Sequence, residues 1–289
     1  MRSLKSFSGA LSAARSGACV TTRAARDLGA WSSLWGRRLA VAGLDALAPD
    51  ACRGCDAPDG ESAERLDGGF CAACRSRVEW TLSACGRCGE PMASPPPIDP
   101  ARGAPGACGA CSAFSFHFDA VAAGGLHTQT LRTAVLRFKF HHDVGVLPFL
   151  VQALARAVRS PAAAPLVERA EAIVPVPLHP WKRWWRGWSP ALVLARSLAG
   201  VLQPRALPVV EAVRKTRWTP AQVRRKGAAR RANLRGAFAP WRRPIRGTVI
   251  LVDDVLTTGT TASECARALK RGGASQVVVI AAARSSPPR

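Results

Sequence analysis

Acidic side chains are scarce in this chain: 19 Asp plus Glu stand against 41 Lys plus Arg, leaving a formal net charge of +22 over 289 residues. Such an imbalance says nothing about fold but points to an anionic substrate or partner. An Arg- and Ala-rich proteome that colours every protein gives the same charge with no partner behind it. Long apolar runs are missing too. No stretch of eighteen consecutive apolar residues occurs, so no membrane span is expected. The first 48 residues lack the apolar core of a secretory signal, because Arg15, Arg23 and Arg26 interrupt it. Their composition resembles an organellar transit peptide; residues 1–45 are read instead as a poorly ordered basic extension, or as a start codon placed too early. A Walker phosphate loop is absent, since neither its glycine spacing nor its lysine is found. With 48% hydrophobic residues, what remains can bury a core in one sizeable domain and a smaller one.

Cysteine is not scarce. Eight of the ten fall in four C-x2-C pairs, Cys52/Cys55, Cys71/Cys74, Cys85/Cys88 and Cys108/Cys111. Two residues between thiols suit a turn that aims both sulfurs at one tetrahedral ion, and zinc takes four such thiolates in a closed structural site. Fifteen residues separate Cys55 from Cys71 and nineteen separate Cys88 from Cys108, whereas only ten separate Cys74 from Cys85. The spacing predicts two sequential zinc sites, with an interleaved arrangement as the alternative. A redox role would need a thioredoxin-like unit that this Gly/Pro-rich stretch is too short to form. Residues 46–115 are therefore expected to be a small double zinc-ribbon domain, folded by its metal and at home in the reducing cytoplasm. Cys19 and Cys265 have no partners at ligand spacing and read as ordinary thiols.

From about Phe118 the texture changes to apolar strands alternating with amphipathic helices. "FDAVAAGGL", "EAIVPVPL", "LPVVEAV", "TVILVDDV" and "QVVVIAAAR" read as strands. Thr128 is placed to cap a helix through "LRTAVLRFKF", and Ser189 with Pro190 to open another. Residues 116–289 are thus expected to be an α/β domain with a parallel sheet covered by helices on both faces. Ligands collect at the carboxyl ends of such strands.

At one such end Asp253 and Asp254 precede a turn containing Thr257, Thr258, Gly259, Thr260 and Thr261. Backbone N–H groups of a turn opening a helix converge on an anion, and the hydroxyls add donors. Carboxylates beside a phosphate would repel it, so they must face sugar hydroxyls or the magnesium that accompanies a diphosphate. A ribose carrying a 5′-phosphate and a 1′-diphosphate satisfies each part. "VILVDDVLTTGTT" resembles the phosphoribosyl-diphosphate motif of type I phosphoribosyltransferases. The resemblance implies that Asp253 and Asp254 hold the ribose hydroxyls at the catalytic centre while the threonine/glycine loop holds the phosphate.

"VPVPLHPWKRWWRG", "TPAQ" and "RRANLRGAF", with the cysteine pairs ahead of them, resemble the ComF family of phosphoribosyltransferase-like proteins, over roughly residues 46–285. That resemblance implies a role in DNA uptake during competence, with single-stranded DNA and a competence helicase as partners. Two departures stand out. The family's R-G-F-N-Q is here Arg186, Gly187, Trp188, Ser189 and Pro190, and Val223 and Arg224 replace a small residue and a glycine after Gln222.

Between Lys182 and Arg246 seventeen Lys plus Arg face one acid, Glu211, and six of the nine tryptophans crowd the same neighbourhood. Cations tracking a backbone, interleaved with rings that stack on bases, suit single-stranded nucleic acid. Trp185, Trp188, Trp218, Arg224, Arg225, Arg230, Arg231 and Arg235 are the candidates. Lys182, Arg183 and Arg186 can equally hold the diphosphate of the sugar, and several tryptophans can be core. Three readings stand: an active phosphoribosyltransferase of nucleotide or related metabolism with no DNA role, a DNA-handling module that uses the pocket as a sensor, and a structural adaptor. His117, His127, His141 and His142 are assigned no role, and His179 is read as structural.

Overall fold

A computed structural model of the chain describes residues 51–57, 68–81, 83–99, 104–178, 187–217, 234–242 and 244–286. In chain order these form α1 (Ala72–Ser76), β1 (Ile98–Asp99), β2 (Ala104–Pro105), β3 (Ala120–Leu126), α2 (Gln129–Leu136), α3 (Leu147–Val158), α4 (Ala164–Glu168), β4 (Ala170–Pro175), α5 (Pro190–Val201), β5 (Val213–Lys215), β6 (Phe238–Pro240), β7 (Thr248–Leu256), α6 (Thr260–Arg271) and β8 (Gln276–Arg284). A π-helical turn over Arg137–His141 and a 3-10 turn over Val144–Val146 connect α2 to α3.

The central sheet has the order β3-β8-β7-β4, and its three pairings are all parallel. Successive side chains of a strand point to opposite faces, and here both sets are apolar. Ile250, Val252, Val278 and Ile280 pack with α2, α3 and α5 on one face; Val249, Leu251, Val277 and Val279 pack with α6 on the other. The unbroken apolar runs follow from this two-sided burial. Gly124 lets β3 and α3 approach so closely that a Cβ would collide with the Ala153 carbonyl.

The helix signals hold where local chemistry decides them. Ser189 Oγ accepts from Leu192 N–H at 3.4 Å, with Pro190 as the first residue of α5. Thr128 occupies the N-cap position of α2, but its hydroxyl donates to Glu79 at 2.7 Å instead of capping the helix. The strand expected in "LPVVEAV" is reduced to a single bridge between Val209 and Ile173. Pro208 has no N–H to offer a ladder, and the chain then turns to form β5, which pairs with β6 in a separate antiparallel ribbon.

The cysteine-rich segment is built onto the sheet. Thr81 N–H donates to Gly124 O, Leu126 N–H to Glu79 O and Val121 N–H to Gly86 O, at 2.8–3.0 Å, so this segment covers the outer edge of β3. Phe70 enters the same core as Phe149, with ring centroids 4.7 Å apart, and Trp80 adds a second contact at 5.8 Å. Among the described residues no helix is long and apolar enough to cross a membrane.

Candidate functional site

A cleft of about 420 Å³ opens where all four strands end. His127 follows β3, Val176 to Leu178 follow β4, Thr257 follows β7 and Ser285 follows β8; each lines it. Asp253 and Asp254 line it as well, from within β7, which runs two residues past them to Leu256. Burial of Asp253, with the Asp254 carboxylate beside it, pushes its carboxyl up to about 8. One Asp253 oxygen accepts from Asp254 N–H at 2.9 Å, and Asp254 accepts from Val255 N–H at 2.6 Å, which fixes both carboxylates against the strand.

The turn after β7 divides its labour. Thr257, Gly259 and Thr261 face the cleft, whereas the Thr258 and Thr260 hydroxyls lie 2.8 Å from each other and brace the turn. Gly259 is the N-cap of α6 at φ +72°, a conformation that costs an L-residue about 1–2 kcal/mol. A Cβ there would also press on Phe116 at 3.2 Å. The first N–H groups of α6 have no partner four residues back within the helix, so the turn presents donors to an anion at the positive end of a helix dipole.

Among the lining residues without a sequence-based assignment, which include Lys215 and Ser285, two stand close to the acids. Lys139, in the π-helical turn, pairs with Asp254 at 2.7 Å. His127 has a buried Nε2 with no hydrogen-bond partner among the described residues, and burial, with Lys139 and Arg132 nearby, lowers its pKa. Helical spacing from the buried Val135 calls for an apolar residue at position 139, so the sequence marks Lys139 as out of pattern without showing where it points.

The cysteines gather into two quartets, Cys52/Cys55/Cys71/Cys74 and Cys85/Cys88/Cys108/Cys111, the sequential grouping. Zinc–sulfur bonds of about 2.3 Å put the sulfurs of a tetrahedron about 3.8 Å apart. The separations are 3.8 Å for Cys55–Cys71, 3.9 Å for Cys85–Cys111, 3.6 Å for Cys88–Cys108 and 3.7 Å for Cys108–Cys111. Backbone N–H groups of Gly54 and Cys71 point at Cys52 Sγ at 3.4 and 3.3 Å, as expected around a thiolate. Both quartets fit a structural zinc ion. Cys265 lies buried in α6, and burial, with Asp253 nearby, holds its thiol well above the ordinary range.

Residues 43–112 match the family model of a double zinc ribbon domain. Over 225 residues the chain is 30% identical to "Competence protein F" of Haemophilus influenzae, covering 75% of this chain and 85% of that relative. The chain belongs to the competence protein F family. Other members lie somewhat further off. "DNA utilization protein YhgH" of Salmonella typhimurium is 28% identical over 213 residues, 73% of this chain and 88% of the relative. The Escherichia coli K12 protein of that name is 27% identical over 218 residues, 75% and 85%.

Much of the basic and aromatic belt lies outside the described residues: Lys182, Arg183, Trp185, Arg186, Trp218, Arg224, Arg225, Arg230 and Arg231. Within them, Arg235 is exposed, and its carbonyl accepts from Arg217 at 3.2 Å. Trp241, 39% exposed, carries the Arg214 guanidinium 4.5 Å above its ring. Trp188 has a different place from that expected of a base-stacking ring. It packs edge-on against Phe138 at 4.6 Å and meets His142 at 5.3 Å, supporting the turn that holds Lys139.

Proposed function

We propose that this member of the competence protein F family binds phosphoribosyl diphosphate with magnesium in the cleft, and that it handles single-stranded DNA during uptake or use of DNA. The observation that carries the first half is the convergence of Asp253, Asp254, Thr257, Gly259 and Thr261 on one opening at the strand ends. Anion donors and hydroxyl acceptors then face one ligand, and a sugar phosphate presents both kinds of group.

In this reading the turn after β7 and the N-terminus of α6 grip the 5′-phosphate, and Asp253 and Asp254 accept from the ribose hydroxyls. The raised pKa of Asp253 fits that role, because a crowded carboxyl gains most from a ligand that donates hydrogen bonds or brings positive charge. Magnesium bound with the diphosphate would neutralise charge on the leaving group, and positioning of the sugar would supply much of any rate. Lys182, Arg183 and Arg186, outside the described residues, are proposed for the diphosphate.

The DNA half rests on the relatives' names, on the net charge of +22 and on the cation-and-ring pairing of Arg214 with Trp241. Reduced thiols in two zinc quartets accord with a cytoplasmic protein. A competence helicase is the protein partner proposed with DNA. The double substitution Asp253→Asn with Asp254→Asn tests the cleft: binding of phosphoribosyl diphosphate should disappear while zinc content stays at two per chain. Unchanged binding would refute the pocket assignment. Oligonucleotide affinity should fall steeply as salt rises, and a flat curve would exclude a phosphate-tracking belt.

A further inference from the structure

Lys139 reaches Asp254 from an element more than a hundred residues away, and aromatic and ion-pair contacts brace that element. Phe138 is buried against Trp188. Arg137 pairs with Asp143 and Asp56, at 3.6 Å each, and Asp143 in turn accepts from Arg53, beside Cys52 of the first quartet, at 3.0 Å. The π-helical turn that ends α2 aims a residue off the regular helical face, and π-helical turns recur at functional sites. Here it directs Lys139 into the cleft, onto a carboxylate that the sugar-phosphate reading requires for ribose hydroxyls.

We infer that Lys139 is the residue by which the cleft selects a diphosphate-bearing sugar over a sugar monophosphate. The inference rests on the sugar-diphosphate reading above and adds a specificity determinant to it. The Lys139 ammonium pairs with Asp254 at 2.7 Å. Ribose hydroxyls that take over Asp254 displace it. Its stem is anchored in the braced turn, so the displaced ammonium stays in the cleft, where a half-buried cation without a counter-ion is costly. A 1′-diphosphate supplies the anion. Ribose 5-phosphate places its only phosphate on the threonine turn and leaves the ammonium unpaired. Buried His127 Nε2, without a partner among the described residues, lines the same cleft and is a second donor or acceptor awaiting a ligand oxygen.

The test compares the zinc-loaded full chain with Lys139→Met and Lys139→Arg, titrated calorimetrically with magnesium phosphoribosyl diphosphate and with ribose 5-phosphate. Methionine should weaken the diphosphate ligand about tenfold or more, the scale of one charge-assisted hydrogen bond, and leave ribose 5-phosphate within about threefold. Arginine should recover most of the loss. Equal weakening of both ligands, or of neither, overturns the role. A wild-type chain that binds neither ligand refutes the sugar-diphosphate reading itself, which separates the two failures. A second measurement needs no variant: acylation of Lys139 in the wild-type chain, followed by mass spectrometry, should speed up with ribose 5-phosphate and slow down with magnesium phosphoribosyl diphosphate. Identical rates in the ligand-free and both liganded states also overturn it.

Discussion

Arg284, at the end of β8, reaches Glu90 of the second cysteine segment at 3.3 Å and the carbonyl of Leu256 at the same distance. One buried guanidinium thus joins the zinc-ribbon region to the last residue of β7, immediately before the turn that opens α6. From the other side, Phe116 stacks on Phe118 with centroids 4.8 Å apart and lies where a Cβ on Gly259 would come within 3.2 Å of its ring, while His117 N–H donates to Ser263 Oγ at 3.0 Å. The segment that leaves the second quartet therefore packs on the turn it precedes by more than a hundred residues.

Removing one partner of a buried ion pair leaves the other uncompensated, at a cost of about 3–5 kcal/mol. Glu90→Gln, which leaves the more buried Arg284 without its counter-charge, should approach that loss in chemical denaturation, and Arg284→Met, which leaves the less buried Glu90 unpaired but also removes the bond to the Leu256 carbonyl, should cost a comparable amount. Both should also weaken binding of inorganic phosphate. Full stability in Arg284→Met would show that the ribbon and the sheet are not coupled through this contact.

Gly259→Ala combines a left-handed φ with a close approach to Phe116. The expected destabilisation is about 1–2 kcal/mol. Phosphate affinity should drop by more than that alone explains, because the displaced turn no longer aims its N–H groups. Retained affinity would argue against an anion site at α6.

Serine in place of Cys85 should reduce bound zinc from two ions to one. Because Val121 N–H donates to Gly86 O at 2.8 Å and the same segment meets β7 and β8, the loss should spread to the sheet edge. Hydrogen exchange should show faster opening of β3 than in the wild type. Zinc content of two in both proteins would contradict the quartet assignment.

Asp253 gives a pH dependence with a definite sign. Its folded pKa of about 8 lies above its unfolded value near 4, so between those pH values the folded chain holds a proton that the unfolded chain has released. Stability should therefore fall as pH rises through this window, by up to about 1.4 kcal/mol per pH unit from this group. Asp253→Asn should remove that slope, seen as the difference between wild-type and variant denaturation curves from pH 4 to pH 8. Identical slopes would mean that Asp253 is not held protonated.

What the sequence disclosed was local in the chain. Cysteine pairs with two residues between them, apolar runs buried on both faces, and two acids followed by a threonine turn each declare themselves within about twenty residues. Contacts between remote segments did not. Glu90 and Arg284 are separated by 194 positions, and nothing in either neighbourhood calls for the other. Trp188 was counted with the stacking rings because a tryptophan among arginines has the same composition whether it meets a base or Phe138. Lys139 was passed over because "RFKF" ends a helix in which a cation on the apolar side is easily taken for a solvated one, and only the π-helical turn shows where it points.

The most direct test is a calorimetric titration of the zinc-loaded wild-type chain with phosphoribosyl diphosphate in the presence of magnesium. Saturable binding of one ligand per chain, competed by inorganic phosphate, is the predicted result. An absence of binding in protein that holds both zinc ions would contradict the assignment of the cleft.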